Sequence, residues 1–280
     1  MTTTTTSGAS TPSGNVGEFT TVDSSDRSTW FIDFMDRANA LPEYGDMRRG
    51  LAAALGDLKG KKVLEIGSGT GDDARGLAAL VGDDGRVTGT DVSEAMVGEA
   101  RRRSTEGPSL PVEFATEDMR RLSFADGHFD ATTAKLVRQH CDDLDAADDE
   151  LMRVTRRGGR LAIFDYDFDT LAVDHPDRTA TRQAVHCFCD GHRNGWNGRA
   201  LVGRFLDRGL NEVTVTPYTV RMPFAFFRPS LEGRLAEAQH SGELPWTQGQ
   251  LADWWRPLIE AQERGRFFAS LTGFVLGGTR

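Results

Sequence analysis

The stretch Glu65–Asp73, EIGSGTGDD, sets three glycines and three acids within nine residues. It is preceded by the short apolar run KKVLEIG and followed by DDARGLAALVG, so a strand, a glycine turn and a helix succeed one another. That layout holds the polar part of a nucleotide-like ligand at the carboxyl edge of a sheet. The spacing is not the dinucleotide fingerprint G-x-G-x-x-G. The glycines are Gly67, Gly69 and Gly71, and the next residue is Asp72. A pyrophosphate sits on the free N–H groups and positive dipole end of the helix, where Asp72 and Asp73 would repel it. No G-K-S/T sequence marks a P-loop. The turn therefore suits a ligand that carries positive charge and no phosphate.

Working outward, the alternation continues on both sides. GRVTGTD (85–91) reads as a second strand. SEAMVGEARRR (93–103) is a helix with Ser93 as N-cap and Glu94 in its first turn. PVEFATED (111–118), HFDATTAKLV (128–137) and RLAIFDYD (160–167) are further strands. Asp142–Arg157 reads as a helix with Leu144, Ala147, Leu151 and Val154 on one face, stopped by Gly158 and Gly159. Five β-α units in series imply a parallel sheet covered by helices on both faces. Before them, Ser28–Leu58 reads as two helices divided by Pro42 and Gly45. After them, residues 171–210 are helical, NEVTVTPYTVRM (211–222) is a strand, Thr247 and Gln250 form a capping box, and FFASLTGFVLGG (267–278) closes as a strand. The late strands fit an antiparallel edge added to the sheet.

The bulk numbers narrow the function. Thirty-three basic against 42 acidic residues give a net charge of −9, which disfavours nucleic acid and anionic membranes as partners. Three cysteines are too few for a disulfide framework and fit a reducing cytoplasm. No run of residues is apolar enough to span a membrane. MTTTTTSGASTPSG (1–14) has neither a basic start nor an apolar core and reads as a disordered leader.

The ordered set VLEIGSGTG, VTGTDVSEAM, EDMRRLSFADGHFDA, LVRQHCDD and RVTRRGGRLAIFDYD, with the tail GRFFASLTGFVLGG, resembles the class I S-adenosylmethionine-dependent methyltransferases, particularly the UbiE-like small-molecule branch. The resemblance implies an α/β, Rossmann-like, doubly wound sheet of seven strands, mostly parallel with an antiparallel last strand, plus accessory helices. It divides the chain into a leader (1–18), an N-terminal helical lid (19–58), a cofactor-binding core (59–170), and accessory helices with the last strands of the same domain (171–280). It implies S-adenosylmethionine as cofactor: Glu65 at the methionine amino group, Gly67, Gly69 and Gly71 against the cofactor, and Asp91 on both ribose hydroxyls. Val92 and Met96 would flank the adenine, and Asp118 with Met119 N–H would meet its amino group. Lys135 and Leu136 would pass the sulfonium by their carbonyls. By position, Tyr44 or Arg48 closes over the methionine carboxylate.

For catalysis His140 is the best candidate for a base, with Asp167, from the group Asp165, Tyr166 and Asp167, orienting the acceptor; the alternative for each is a structural role, a histidine bonded to backbone and an aspartate capping the following loop. Aspartates such as Asp91 and Asp118 also serve as ordinary caps. HCFCDGH (186–192) invites a zinc reading, but four ligands cannot converge from one short helix, so no metal is expected. The reading is a methyltransferase for a small, partly apolar, secondary-metabolite or quinone-like acceptor. Two readings compete with it: a protein of the same fold that binds the cofactor and catalyses another reaction such as cyclisation, and a nicotinamide oxidoreductase.

Overall fold

Residues 22–23 and 28–280 are described by the computed structural model; the expected leader and the rest of the lid's first residues lie outside them. Five parallel strands form as the apolar runs require: β1 (Lys62–Ile66), β2 (Arg86–Asp91), β3 (Val112–Thr116), β4 (Phe129–Lys135) and β5 (Thr155–Tyr166). A two-residue strand β6 (Ala172–Val173) and the long β7 (Asn211–Arg221) and β8 (Ala269–Thr279) complete an eight-stranded sheet. The spatial order is β3-β2-β1-β4-β5-β8-β6, with β7 on β8, and β8 runs antiparallel to β5, β6 and β7. Seven strands were expected; the eighth is the short β6, too brief to leave a periodic signal.

Helices α1 (Ser28–Asn39) and α2 (Pro42–Leu55) form in the segment expected to act as a lid. Pro42 starts α2, where its missing N–H costs nothing, but Gly45 lies inside that helix and divides nothing. Helices α3 (Asp72–Val81), α4 (Glu94–Thr105) and α5 (Leu144–Val154) follow β1, β2 and β4. Ser93 caps α4 by accepting from Met96 N–H, as expected. The helix expected to run to Arg157 ends at Val154, and Gly158 and Gly159 lie in β5. The reason is Thr155: its hydroxyl donates to the Leu151 carbonyl of the last turn and meets Thr132 of β4, pulling the chain into the sheet.

Beyond β5 come α6 (Arg178–Asp190), α7 (Asn197–Leu206), α8 (Phe224–Ser241) and α9 (Gln248–Glu263), the last with the expected Thr247–Gln250 capping box. Phe188 of α6, Phe227, Leu231 and Leu235 of α8 and Trp254, Trp255 and Leu258 of α9 are buried in one core with β5 and β8. Each such side chain contributes about 1.5–3 kcal/mol by leaving water, which fixes these helices over the carboxyl edge of the sheet.

Candidate active site

All three glycines of the opening turn have left-handed backbone, φ 69° at Gly67, 49° at Gly69 and 79° at Gly71. Only glycine adopts these freely. Space demands it as well: a Cβ on Gly67 would lie 2.5 Å from Cβ of Val137, and one on Gly71 2.7 Å from the Phe114 ring. Across the turn stands Asp91 at the end of β2, its carboxylate accepting the N–H groups of Gly69 (2.8 Å) and Ser93 (3.0 Å). Burial pushes this carboxyl up, against those two hydrogen bonds. Val92, 57% exposed, and buried Met96 continue the wall. Together with Glu65, Lys135, Leu136, Gln139, His140, Tyr44 and the α1 residues Phe34 and Met35, they line a cavity of about 180 Å³.

The charges inside it are arranged differently from the simple surplus of acid read in the sequence. Asp73 binds Arg48 of α2 and Lys135 Nζ of β4 (2.6 Å). Burial alone would raise its carboxyl, yet those two cations hold it below the ordinary value. Asp72 accepts from Asn39 of α1 (2.9 Å) and Arg75 (2.5 Å). Both acids at the helix start are therefore paired within the protein. The carboxylate left over is Glu65: 3% exposed, with Oε2 buried and unpartnered. Burial, then the Asp73 charge, push its carboxyl up to about 8.

An adjoining cavity holds Asp118, Met119 and Arg120 and shares Asp91, Val92, Val137 and His140 with the first. Asp118 is gripped by the Arg120 guanidinium (2.6 Å), which lowers its carboxyl. At the end of β4, Leu136 has φ 57°, a strained left-handed value for a side chain with Cβ. Lys135 contributes its side chain too, 5.6 Å from the centre of the Tyr44 ring. His140 is half-buried; burial, helped by neighbouring His192, takes its imidazole down to about 3. Its Nε2 accepts from the Gln139 amide at 3.0 Å.

A second, aromatic cavity of about 80 Å³ is lined by Tyr166, Phe168, Phe188, His192, Phe226 and Ser230, among others. It shares Phe34, Tyr44, Leu136 and Gln139 with the first. The Tyr166 hydroxyl donates to that of Tyr44 at 3.2 Å, and burial pushes Tyr44 up to about 12. Asp167, expected to orient the acceptor, is not brought to this wall. Successive strand residues face opposite sides. Asp165 and Asp167 thus turn away from Tyr166: Asp167 takes the Arg199 fork of α7, and Asp165 binds the fully buried Arg138 (2.5 Å) and Asn197 (2.9 Å). Burial still raises Asp165, to about 6, against Arg138. Of the HCFCDGH segment only His192 reaches this cavity, along with Phe188; His186 lies 3.7 Å from Asp169, and Cys187 and Cys189 are buried thiols pushed up to about 11 by burial. Among the described residues no three His, Cys, Asp or Glu side chains gather as a metal-ligating group.

A family model described as a methyltransferase domain matches residues 63–159. An uncharacterised 37.1 kDa protein in transposon TN4556 of Streptomyces fradiae is 33% identical over 254 residues, 88% of this chain and 70% of that one. A demethylmenaquinone methyltransferase of Beutenbergia cavernae is 38% identical over 120 residues, 42% of this chain and 46% of that protein; the alignment spans less than half the length of this curated relative. The solved structure of the YcgJ protein from Bacillus subtilis matches with a TM-score of 0.58 at 17% identity, covering 85% of this chain and 97% of that one. The chain belongs to the class I S-adenosylmethionine-dependent methyltransferases, and S-adenosylmethionine is its cofactor. The residues fit that molecule. The unpartnered Glu65 oxygen matches a buried ammonium, and the glycine turn leaves the space a Cβ would fill.

Proposed function

We propose that the protein transfers the methyl group of S-adenosylmethionine to a small, partly apolar metabolite held in the aromatic cavity. The observation that carries this reading is the common wall of Phe34, Tyr44, Leu136 and Gln139, which belongs to both cavities. A donor in one and an acceptor in the other meet across it, and alignment of that kind supplies much of the rate of a displacement. When bound, the cofactor supplies an electrophilic methyl on sulfur.

In this reading Glu65 holds the ammonium, Arg48 faces the carboxylate, and Asp91 takes the ribose hydroxyls. Val92, Met96, Asp118 and Met119 enclose the adenine, while the carbonyls of Lys135 and Leu136 line the sulfonium. Tyr44, kept protonated and already accepting from Tyr166, has its own O–H to give to the acceptor. His140 stays neutral and acts as a hydrogen-bonding wall, since an imidazole at about 3 is a weak base. Asp167 keeps the role of tying α7 to β5 through Arg199. The acidic charge balance and three buried free thiols fit a cytoplasmic setting without nucleic-acid partners.

The described residues lining the aromatic cavity include no strong base, which favours one other reading, catalysis of a reaction such as cyclisation with the cofactor bound but unspent. Incubation with methyl-labelled S-adenosylmethionine and a metabolite extract separates the two. Label in a small molecule supports methyl transfer; tight cofactor binding with no transfer supports the second reading.

A further inference from the structure

His192 follows α6, in the segment between β5 and β7, outside the residues matched by the methyltransferase-domain model. The residue is 8% exposed, and its ring stacks on Phe168 with centroids 3.6 Å apart and planes 16° from parallel, while Phe188 meets it edge-on at 4.7 Å. Nδ1 lies 2.8 Å from the Phe188 carbonyl oxygen. A carbonyl only accepts, so Nδ1 carries the proton, and the neutral ring then has its lone pair on Nε2. Nε2 makes no hydrogen bond among the described residues. The ring borders both the aromatic cavity and an outer groove by α7, but Phe168 and Phe188, which clamp it, line the cavity and not the groove. Burial takes the imidazole down to about 4, so it is a neutral acceptor near pH 7. A fixed lone pair on a wall made mostly of aromatic and aliphatic side chains discriminates between ligands that differ by one donor group, because a missing partner leaves it desolvated and unpaired.

We propose that Nε2 of His192 is the hydrogen-bond acceptor that fixes a hydroxyl or N–H group of the ligand in the aromatic cavity, and so selects flat apolar molecules bearing such a donor. The inference rests on that cavity being the acceptor site. Its test uses the full chain saturated with S-adenosylhomocysteine, with histidine nitrogen-15 labels and two single-ring probes, 4-ethylphenol and 4-ethylanisole. The phenol moves the Nε2 resonance of His192 upfield by several parts per million and leaves Nδ1 in place; the anisole moves neither. By calorimetry the phenol binds about tenfold more tightly than the anisole, as one net hydrogen bond implies. His192→Phe removes that preference while S-adenosylhomocysteine affinity stays within about twofold, and His192→Gln, which retains an acceptor, restores part of it. An Nε2 resonance indifferent to the phenol, failure of the phenol to bind, or a preference surviving in His192→Phe overturns the proposal. The resonance readout on the unaltered protein stands even if a variant fails to fold. Failure of S-adenosylhomocysteine itself to bind would instead strike at the methyltransferase reading.

Discussion

Replacing Glu65 by Gln separates what this side chain costs the empty site from what it contributes to the filled one. The carboxyl stands at about 8 because it is buried and faces Asp73, against an ordinary value of 4.5. At pH 7, one unit below that value, about nine-tenths of the empty protein carries the proton. A ligand ammonium placed against Oε2 reverses the preference, so binding S-adenosylhomocysteine at pH 7 expels up to about one proton. Titration calorimetry in buffers of different ionisation enthalpy reads that number as the slope of the apparent enthalpy. In Glu65→Gln the slope falls to near zero, and affinity drops by about 1.5–3 kcal/mol, or roughly 10- to 150-fold, for a lost charged hydrogen bond. The empty protein behaves in the opposite sense. The folded state keeps its proton up to about 8 and the unfolded chain loses it near 4.5, so this group's contribution to stability falls as pH climbs between those values. The fall reaches at most about 1.4 kcal/mol per unit, and the Gln variant lacks it. A wild-type slope of zero, or a slope unchanged in the variant, would refute the reasoning.

Asp91→Ala removes the acceptor for Gly69 and Ser93 N–H and the one proposed for the ribose, and S-adenosylhomocysteine binding by calorimetry should weaken by about 1.5–3 kcal/mol. Gly67→Ala must carry a left-handed backbone, which costs about 1–2 kcal/mol, and press on Val137, which adds about 1–3 kcal/mol; thermal unfolding should show both. Asp148→Ala strips the fully buried Arg138 of two hydrogen bonds (2.7 and 3.0 Å), and denaturant unfolding should register a loss of about 3–5 kcal/mol. His140 sits at about 3 when folded against 6.5 unfolded, so its contribution declines as pH falls between those values. His140→Gln should flatten part of the acid-side loss in a melting-temperature series from pH 7 to pH 4.

What could be read beforehand was whatever is decided by neighbours in the chain. The glycine turn, the Ser93 cap, the Thr247–Gln250 box and the order of strands all depend on short-range geometry. The pairing of Asp73, and of Asp72 with Asn39, does not: Arg48, Asn39 and Lys135 come from three other elements, and only their assembly shows that Glu65 is the acid of the turn left unpaired. The group Asp165–Tyr166–Asp167 was legible as a set at the sheet's edge but not by side. Strand alternation puts the tyrosine in the cavity and commits the two aspartates to arginines behind it. His192 carried only the misleading signal of its neighbouring cysteines, since nothing local announces that Phe168, from a different segment, will stack on it.

The placement of β8 has a consequence for how the chain is made. This strand lies between β5 and β7, and among the described residues β7 has no other strand partner. While synthesis proceeds through α9, β5 exposes an open ladder edge and β7 cannot join the sheet at all. Such edges are where nascent chains pair with one another. Solubility during translation therefore hinges on the interval before Ala269–Thr279 emerges. A ribosome stalled within α9 should leave a product prone to aggregation, although every residue assigned to either cavity, apart from Leu271, has already been made.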